Sequence, residues 1–162
     1  MMKASKSAYV LIHTFEGCRL HAYKCPAGVW TIGWGHTAGV LYEGMTITRE
    51  QANEFLEKDL RIFEDNLNFA LGLDNAGRMP NGLSINQHQF DALLSFTYNV
   101  GTGNLARSTL LRKVKANPQD PSIRTEFSRW VYGGGKRLPG LVRRRKMEAD
   151  LYFSSGPSAS LK

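Results

Sequence analysis

Glu16 is the residue of this sequence best placed to move a proton. It follows Phe15 at the end of an apolar helical stripe, and it opens a stretch rich in glycine and short apolar runs. A carboxyl group protonates a departing oxygen near neutral pH only where its surroundings penalise the anion. The end of a helix supplies part of that penalty, because the negative end of the dipole disfavours a further negative charge. On its own, Glu16 reads as a solvated glutamate at a helix terminus. Cys25 on its own is a small turn residue, and a thiol with a pKa near 8.5 is mostly neutral at pH 7. His36, in the turn Gly-Trp-Gly-His-Thr, could act as a base, but a structural histidine bonded to a nearby carboxylate is the favoured reading. Tyr98 and Asn99 join an aromatic face to an amide at a helix end, a pair that on its own reads as ordinary packing and capping.

These residues need elements to hold them. Ala8, Leu11, Ile12 and Phe15 share one helical face, so the sequence predicts a first helix that ends near Gly17. From residue 18 to about 46, glycines at 28, 33, 35, 39 and 44, Pro26 and the run Val29–Ile32 predict a small hairpin-rich β lobe. Thr48 and Gln51 form a capping box, which starts a long connecting helix over about 48–70 with Ala52, Phe55, Leu56, Phe63 and Leu67 turned inward. A loop runs from Gly72 to Leu83, and Ser84 to Gln87 reads as a second capping box before a helix that carries Phe90, Leu93, Leu94 and Tyr98 and stops at Gly101. Arg107–Ala116 is a short helix, and Pro121 opens another with Ile123, Phe127, Trp130 and Val131. Gly133–Gly135 breaks it, and a last helix over about 139–153 precedes the polar tail SSGPSASLK, which is expected to fray. The fold class is α+β and mostly helical. The organisation is a single domain over 1–162, with the β lobe, the connecting helix, and a helical lobe of about 68–153 that also takes in the first helix.

With 162 residues, the chain is long enough to bury a core. The formal net charge of +7 attracts polyanions of any kind, so charge alone selects no partner. No apolar run approaches the roughly 20 residues that cross a bilayer, and the N-terminus lacks the apolar region and cleavage site of a signal peptide. Two cysteines are too few for a disulfide framework and fit a reducing compartment. No metal-ligand cluster, phosphate-cradling glycine loop or nucleic-acid motif is present, so neither a metal, a cofactor nor a nucleic-acid partner is expected. The run Arg143–Lys146 reads as a solvated helix face that could join Arg129, Lys136 and Arg137 in a basic patch.

The segment TFEGCRLHAYKCPAGVWTIGWGHT, residues 14–37, resembles the active-site segment of the phage lysozymes, glycoside hydrolase family 24. The family pattern is a Glu, eight residues, an Asp or Cys, five residues and a Thr, and Glu16, Cys25 and Thr31 stand at those spacings. The landmarks Leu20, Ala22-Tyr23, Gly28, Thr31-Ile-Gly33 and Gly35-His-Thr37 agree, as do Phe90–Leu93, Tyr98–Gly101 and Gly140–Arg144, so the resemblance spans about 8 to 152. It implies a two-lobed lysozyme fold that hydrolyses the β-1,4 bond between N-acetylmuramic acid and N-acetylglucosamine in peptidoglycan. Glu16 would be the general acid and Thr31 would hold the attacking water. Cys25 stands where many members have Asp. Gly35, Thr37, Tyr98 and Asn99 would line the substrate cleft. Inversion is implied, with the flanking groups about 6.5–9.5 Å apart to admit water. A lytic transglycosylase, which needs one Glu and no second carboxylate, is the alternative. The resemblance further implies a monomer made in the host cytoplasm, carrying no stable membrane anchor in this chain, and released to the wall with the help of a holin. Cys18 and Cys25 should both sit around the mouth of the site, and oxidation could join them if their Cα atoms lie within about 7 Å.

Overall fold

The computed structural model describes residues 1–39 and 42–155. Ser5 caps the first helix, α1 (Lys6–Phe15), by accepting the Ser7 N–H at 3.2 Å. Its stripe buries Ala8, Leu11 and Ile12 and leaves Phe15 half-buried beside Glu16. The chain then enters an antiparallel pair, β1 (Arg19–Lys24) and β2 (Trp30–Gly33), in which Tyr23 faces Thr31 and Lys24 faces Trp30. The turn between them is closed by the Cys25 N–H to Val29 O at 2.9 Å and the Gly28 N–H to Cys25 O at 2.8 Å. Gly28 has φ +78, a left-handed value that favours glycine. β1 bulges between Arg19 and Tyr23, where Leu20 and Ala22 bond Ile47 and Met45 instead of β2.

This strand answers the question of the two thiols. From Arg19 to Lys24 the partner strand advances by Trp30–Gly33, about 10 Å at 3.3 Å per residue. Cys18 and Cys25 lie beyond opposite ends of that span, too far apart for the bridge allowed by the sequence, and both are free.

Helix α2 (Arg49–Leu71) begins at the expected capping box: Gln51 N–H donates to Thr48 Oγ1 at 3.1 Å and Thr48 N–H to Gln51 Oε1 at 2.9 Å. It buries Ala52, Leu56, Leu60, Leu67 and Leu71. Phe55 and Phe63 stop at the half-buried edge, where they meet His36 and Tyr98 respectively. The second capping box lies two residues later than the sequence suggests. Asn86 Oδ1 accepts the Gln89 N–H at 2.8 Å, and Gln89 Oε1 accepts the Asn86 N–H at 2.9 Å. Asn caps as well as Ser, and this frame puts Ile85 and Phe90, the two positions of a hydrophobic staple, into the core.

Helix α3 (Gln87–Val100) is the central element, with every residue from Gln89 to Thr97 buried. After Gly101 come α4 (Thr102–Arg107), a helix the sequence reading did not separate, and α5 (Thr109–Ala116), capped by Ser108 through the Leu111 N–H at 3.0 Å. Helix α6 (Ile123–Ser128) is shorter than expected and leaves Trp130 and Val131 beyond its end. The three glycines build a turn between β3 (Tyr132–Gly133) and β4 (Lys136–Arg137), where Gly134 and Gly135 both have positive φ. Helix α7 (Pro139–Tyr152) then lies along α3 and touches α1 and α6. The polar tail falls outside the described residues beyond Ser155.

Candidate active site

Glu16 caps the C-terminus of α1, its N–H donating to Ile12 O at 2.7 Å, and its side chain remains 23% exposed. That side chain reaches α7, where Arg144 Nη1 donates to Glu16 Oε1 at 2.7 Å. Arg144 is 3% exposed, and its other donors are committed: Nε to Glu148 Oε1 at 3.0 Å and Nη2 to Ser95 O at 3.1 Å. Glu148, fully buried, also accepts from Ser95 Oγ at 2.8 Å and from Arg145 Nη1 at 2.5 Å. Arg145 in turn donates from Nε to Trp130 O at 3.0 Å and from Nη2 to Asn99 Oδ1. Two guanidinium groups therefore face two carboxylates. Buried cations persist only with such pairing, since desolvation alone costs several kcal/mol per ion.

The second wall comes from the β2–α2 connection. Gly35 has φ +95, and a Cβ built there would lie 3.7 Å from Glu16 Oε2 and 3.8 Å from Tyr98 Oη. Tyr98 donates to Trp34 O at 2.7 Å, and burial pushes its hydroxyl far above the ordinary range, so it stays a neutral donor. Trp34 is held by its Nε1 donating to Asn53 Oδ1 at 2.9 Å and by stacking on His13 at 4.3 Å. His36 stacks on Phe55 at 4.4 Å and pairs through Nδ1 with Asp59 Oδ2 at 2.8 Å, the structural role favoured by the sequence. These contacts fix the Trp34–His36 segment against α2 and α3. With Arg144 holding one oxygen of Glu16, the other oxygen looks toward a glycine with no side chain to fill the space.

Cys25 and Thr31 meet at the hairpin. Thr31 is 4% exposed and its hydroxyl donates to Val29 O at 3.1 Å. The backbone N–H groups of Val29 and Ala27 favour the anion at Cys25, holding its thiol below the usual range against an opposing effect of burial. This cluster can position water and accept a proton. The Glu16 carboxyl pairs with the Arg144 cation through one oxygen and presents the other to the space before Gly35, in place of the anion-penalising surroundings expected from the helix end alone.

The structure thus gathers Glu16, Gly35 and Tyr98 into one cluster, and Cys25 and Thr31 into another. Asn99 joins the first cluster indirectly, through Arg145, and Thr37 is exposed two residues past Gly35. The reading of Arg143–Lys146 as a solvated face needs correction: Arg144 and Arg145 are both buried, and only Arg143 and Lys146 face solvent. Arg144, Ser95 and Glu148 are the residues missed in sequence. Their signal was the spacing of Arg144 and Arg145 from Glu148, four and three positions, which stacks all three on one helical face.

Four likenesses bear on this geometry. The family model of phage lysozyme matches residues 13–148. An endolysin of Acyrthosiphon pisum secondary endosymbiont phage 1 is 38% identical over 95% of the chain and 100% of its own length. An endolysin of Bacillus phage PZA is also 38% identical, over 96% of the chain, which spans only 57% of that longer protein. The solved muramidase domain of SpmX from Asticaccaulis excentricus superimposes with a TM-score of 0.80 at 31% identity, over 96% of this chain and 100% of that one. The chain belongs to the phage lysozyme family, and its enzyme class is that of a lysozyme, a glycoside hydrolase.

Proposed function

We propose that the chain hydrolyses the β-1,4 bond between N-acetylmuramic acid and N-acetylglucosamine in bacterial peptidoglycan, as an endolysin with Glu16 as general acid. The observation that carries this reading is the asymmetric hold on Glu16, with Oε1 bound to a buried guanidinium and Oε2 opposite Gly35. The fixed oxygen sets the carboxyl plane, and the free oxygen carries the proton to the leaving sugar oxygen. The neutral Tyr98 hydroxyl and the amide of Asn99 belong to the wall that receives the N-acetyl sugars, together with Gly35 and Thr37.

Water attacks from the other face of the ring. Because the Thr31 hydroxyl donates to Val29 O, its oxygen is left to accept a proton of that water and turn a water lone pair toward the anomeric carbon. Cys25 takes the part that many relatives give to Asp: in its thiolate form, which the hairpin N–H groups favour, it receives the proton released as the new C–O bond forms. Attack by water opposite the leaving group inverts the anomeric centre. Membership of the lysozyme family favours hydrolysis over the transglycosylase alternative.

The 1–162 chain acts as one lysozyme-like unit, with a β lobe of about 18–46, a connecting helix of about 48–70 and a helical lobe of about 68–153 that includes the first helix. Among the described residues, no helix is long and apolar enough to cross a membrane. Synthesis in the host cytoplasm, passage to the wall through a holin lesion and action as a monomer complete the proposal.

The test is digestion of purified peptidoglycan with the protein and with Glu16→Gln, followed by mass analysis of the muropeptides. Reducing muramic ends carrying the mass of one added water are expected from the unaltered protein. None should appear with the variant, which keeps the shape of the acid but has no proton to give. Anhydro products would establish the transglycosylase. Undiminished release by a folded Glu16→Gln protein would remove Glu16 from the reaction.

A further inference from the structure

The half of the Arg143–Lys146 run that faces solvent has its own surroundings. Arg143 and Lys146, a turn apart on α7, border a groove of about 490 Å³ with Arg137 of β4, over a floor that includes Pro139 and Val142. A second hollow of about 290 Å³ shares Arg137, Val142 and Lys146, and extends the groove toward Arg124 and Ser128. Among the described residues, no acidic side chain lines either hollow. Asp150 binds Arg124 at 2.6 Å and Lys146 at 2.8 Å and so balances one of four exposed cations. Arg143 also leans over the Phe15 ring at 5.8 Å, which places one end of the groove beside the residue preceding Glu16.

We propose that this groove binds a linear polyol-phosphate chain of the kind that decorates cell walls. The proposal rests on the muramidase reading for its setting, since walls that carry such chains bear them on the glycan. A row of cations over an aliphatic floor fits phosphodiesters separated by short carbon units: the phosphates pair with Arg137, Arg143 and Lys146, and the carbon units cover Pro139 and Val142. A concave groove admits a chain more readily than a flat bilayer surface. Single-stranded nucleic acid is disfavoured because, among the described residues, neither hollow is lined by an aromatic side chain on which a base could stack. Occupancy would hold α7, and with it Arg144, beside glycan that has yet to be cut.

The test is titration of the intact protein with purified poly(glycerol phosphate), followed by calorimetry at several salt concentrations. The double variant Arg137→Gln/Arg143→Gln is compared with Lys58→Gln/Arg107→Gln, which removes the same charge elsewhere; melting curves establish that both are folded. The groove variant should lose about tenfold or more in affinity, and its log–log salt slope should fall by about 1.4, or about 0.7 for each lost phosphate contact as in single-stranded polyanions. The control pair should stay within about twofold of the unaltered protein. Equal losses in both double variants would show general attraction by net charge and overturn the proposal. It would also be overturned if the groove variant lost binding to anionic phosphatidylglycerol vesicles while keeping its affinity for the polymer. If the unaltered protein cut no glycan, the muramidase reading would fail, but the polymer titration would still give its own answer.

Discussion

Replacing Arg144 by Met is the sharpest probe of how this fold holds its acid. The guanidinium is 3% exposed and donates to Glu16, Glu148 and Ser95, so methionine fills much of the volume but removes the cation and all of those bonds. Removing one partner of a buried pair costs about 3–5 kcal/mol, because the remaining charge stays desolvated. Here Glu148 keeps Arg145 at 2.5 Å and Glu16 can turn to solvent, which points to the lower end, about 3 kcal/mol. At about 2–4 °C per kcal/mol for a chain of this size, Tm should fall by about 6–12 °C. Cleavage measured well below that melting point should lose about 100-fold in kcat with a much smaller change in KM, as expected for an acid displaced by about an ångström. Arg144→Lys should recover part of the stability but little of the rate, since an ammonium cannot span Glu16, Glu148 and the Ser95 carbonyl together. In a Glu16→Gln background, Arg144→Met should cost about 1–2 kcal/mol less than in the unaltered protein. The reasoning fails if Arg144→Met melts within about 2 °C of the parent, or if its kcat stays within about threefold.

Thr31→Ala should lower kcat strongly and KM little, because a group that orients water acts in the transition state; an effect confined to KM would reduce Thr31 to hairpin packing. In a Cys18→Ser protein, alkylation of Cys25 should reach half its limiting rate at a lower pH when folded than when unfolded in urea, since the hairpin N–H groups favour the thiolate; an equal or higher midpoint in the folded protein contradicts the hairpin electrostatics. Asp150 is held below the usual carboxylate range first by its hydrogen bond from Lys146 and then by that from Arg124. A depressed folded pKa stabilises the protein above the unfolded value near 3.9, and this contribution is lost as pH falls through the folded value. Asp150→Asn should therefore lose less stability than the parent on acidification below about pH 4, and identical acid limbs in urea titrations would refute the pairing.

Local sequence carried the elements whose causes are themselves local. The Thr48–Gln51 box, the α1 stripe and the glycine turn at 28 all follow from neighbours within a few residues, and each stands where the pattern placed it. The second box slipped from Ser84 to Asn86 because two capping frames were available and the burial of Ile85 and Phe90 chose between them. The end of α6 was overshot for a similar reason: Trp130 continues the apolar period, but the chain turns there so that Trp130 O can accept from Arg145. The separation of the thiols was not legible, because distance in sequence says nothing of direction, and seven residues traversed as a strand carry their ends apart.

The acid's surroundings were the least legible part, and the reason is physical. A run of four basic residues reads as solvated because lone cations are almost never buried, and only a contact 128 positions away shows that Arg144 has a partner in Glu16. Burial of that arginine is conditional on Glu148 and Ser95, which are themselves buried only because α7 lies along α3. The position of Glu16 is thus set by the packing of two helices distant from it in sequence, while the open space before its free oxygen is set by Gly35 in a loop held by Tyr98 and Asp59. Neither half is a motif by itself. α7 joins them to the outer surface, since consecutive residues on a helix point about 100° apart: Arg144 and Arg145 turn inward to charges that require them, and Arg143 and Lys146 turn outward over the groove.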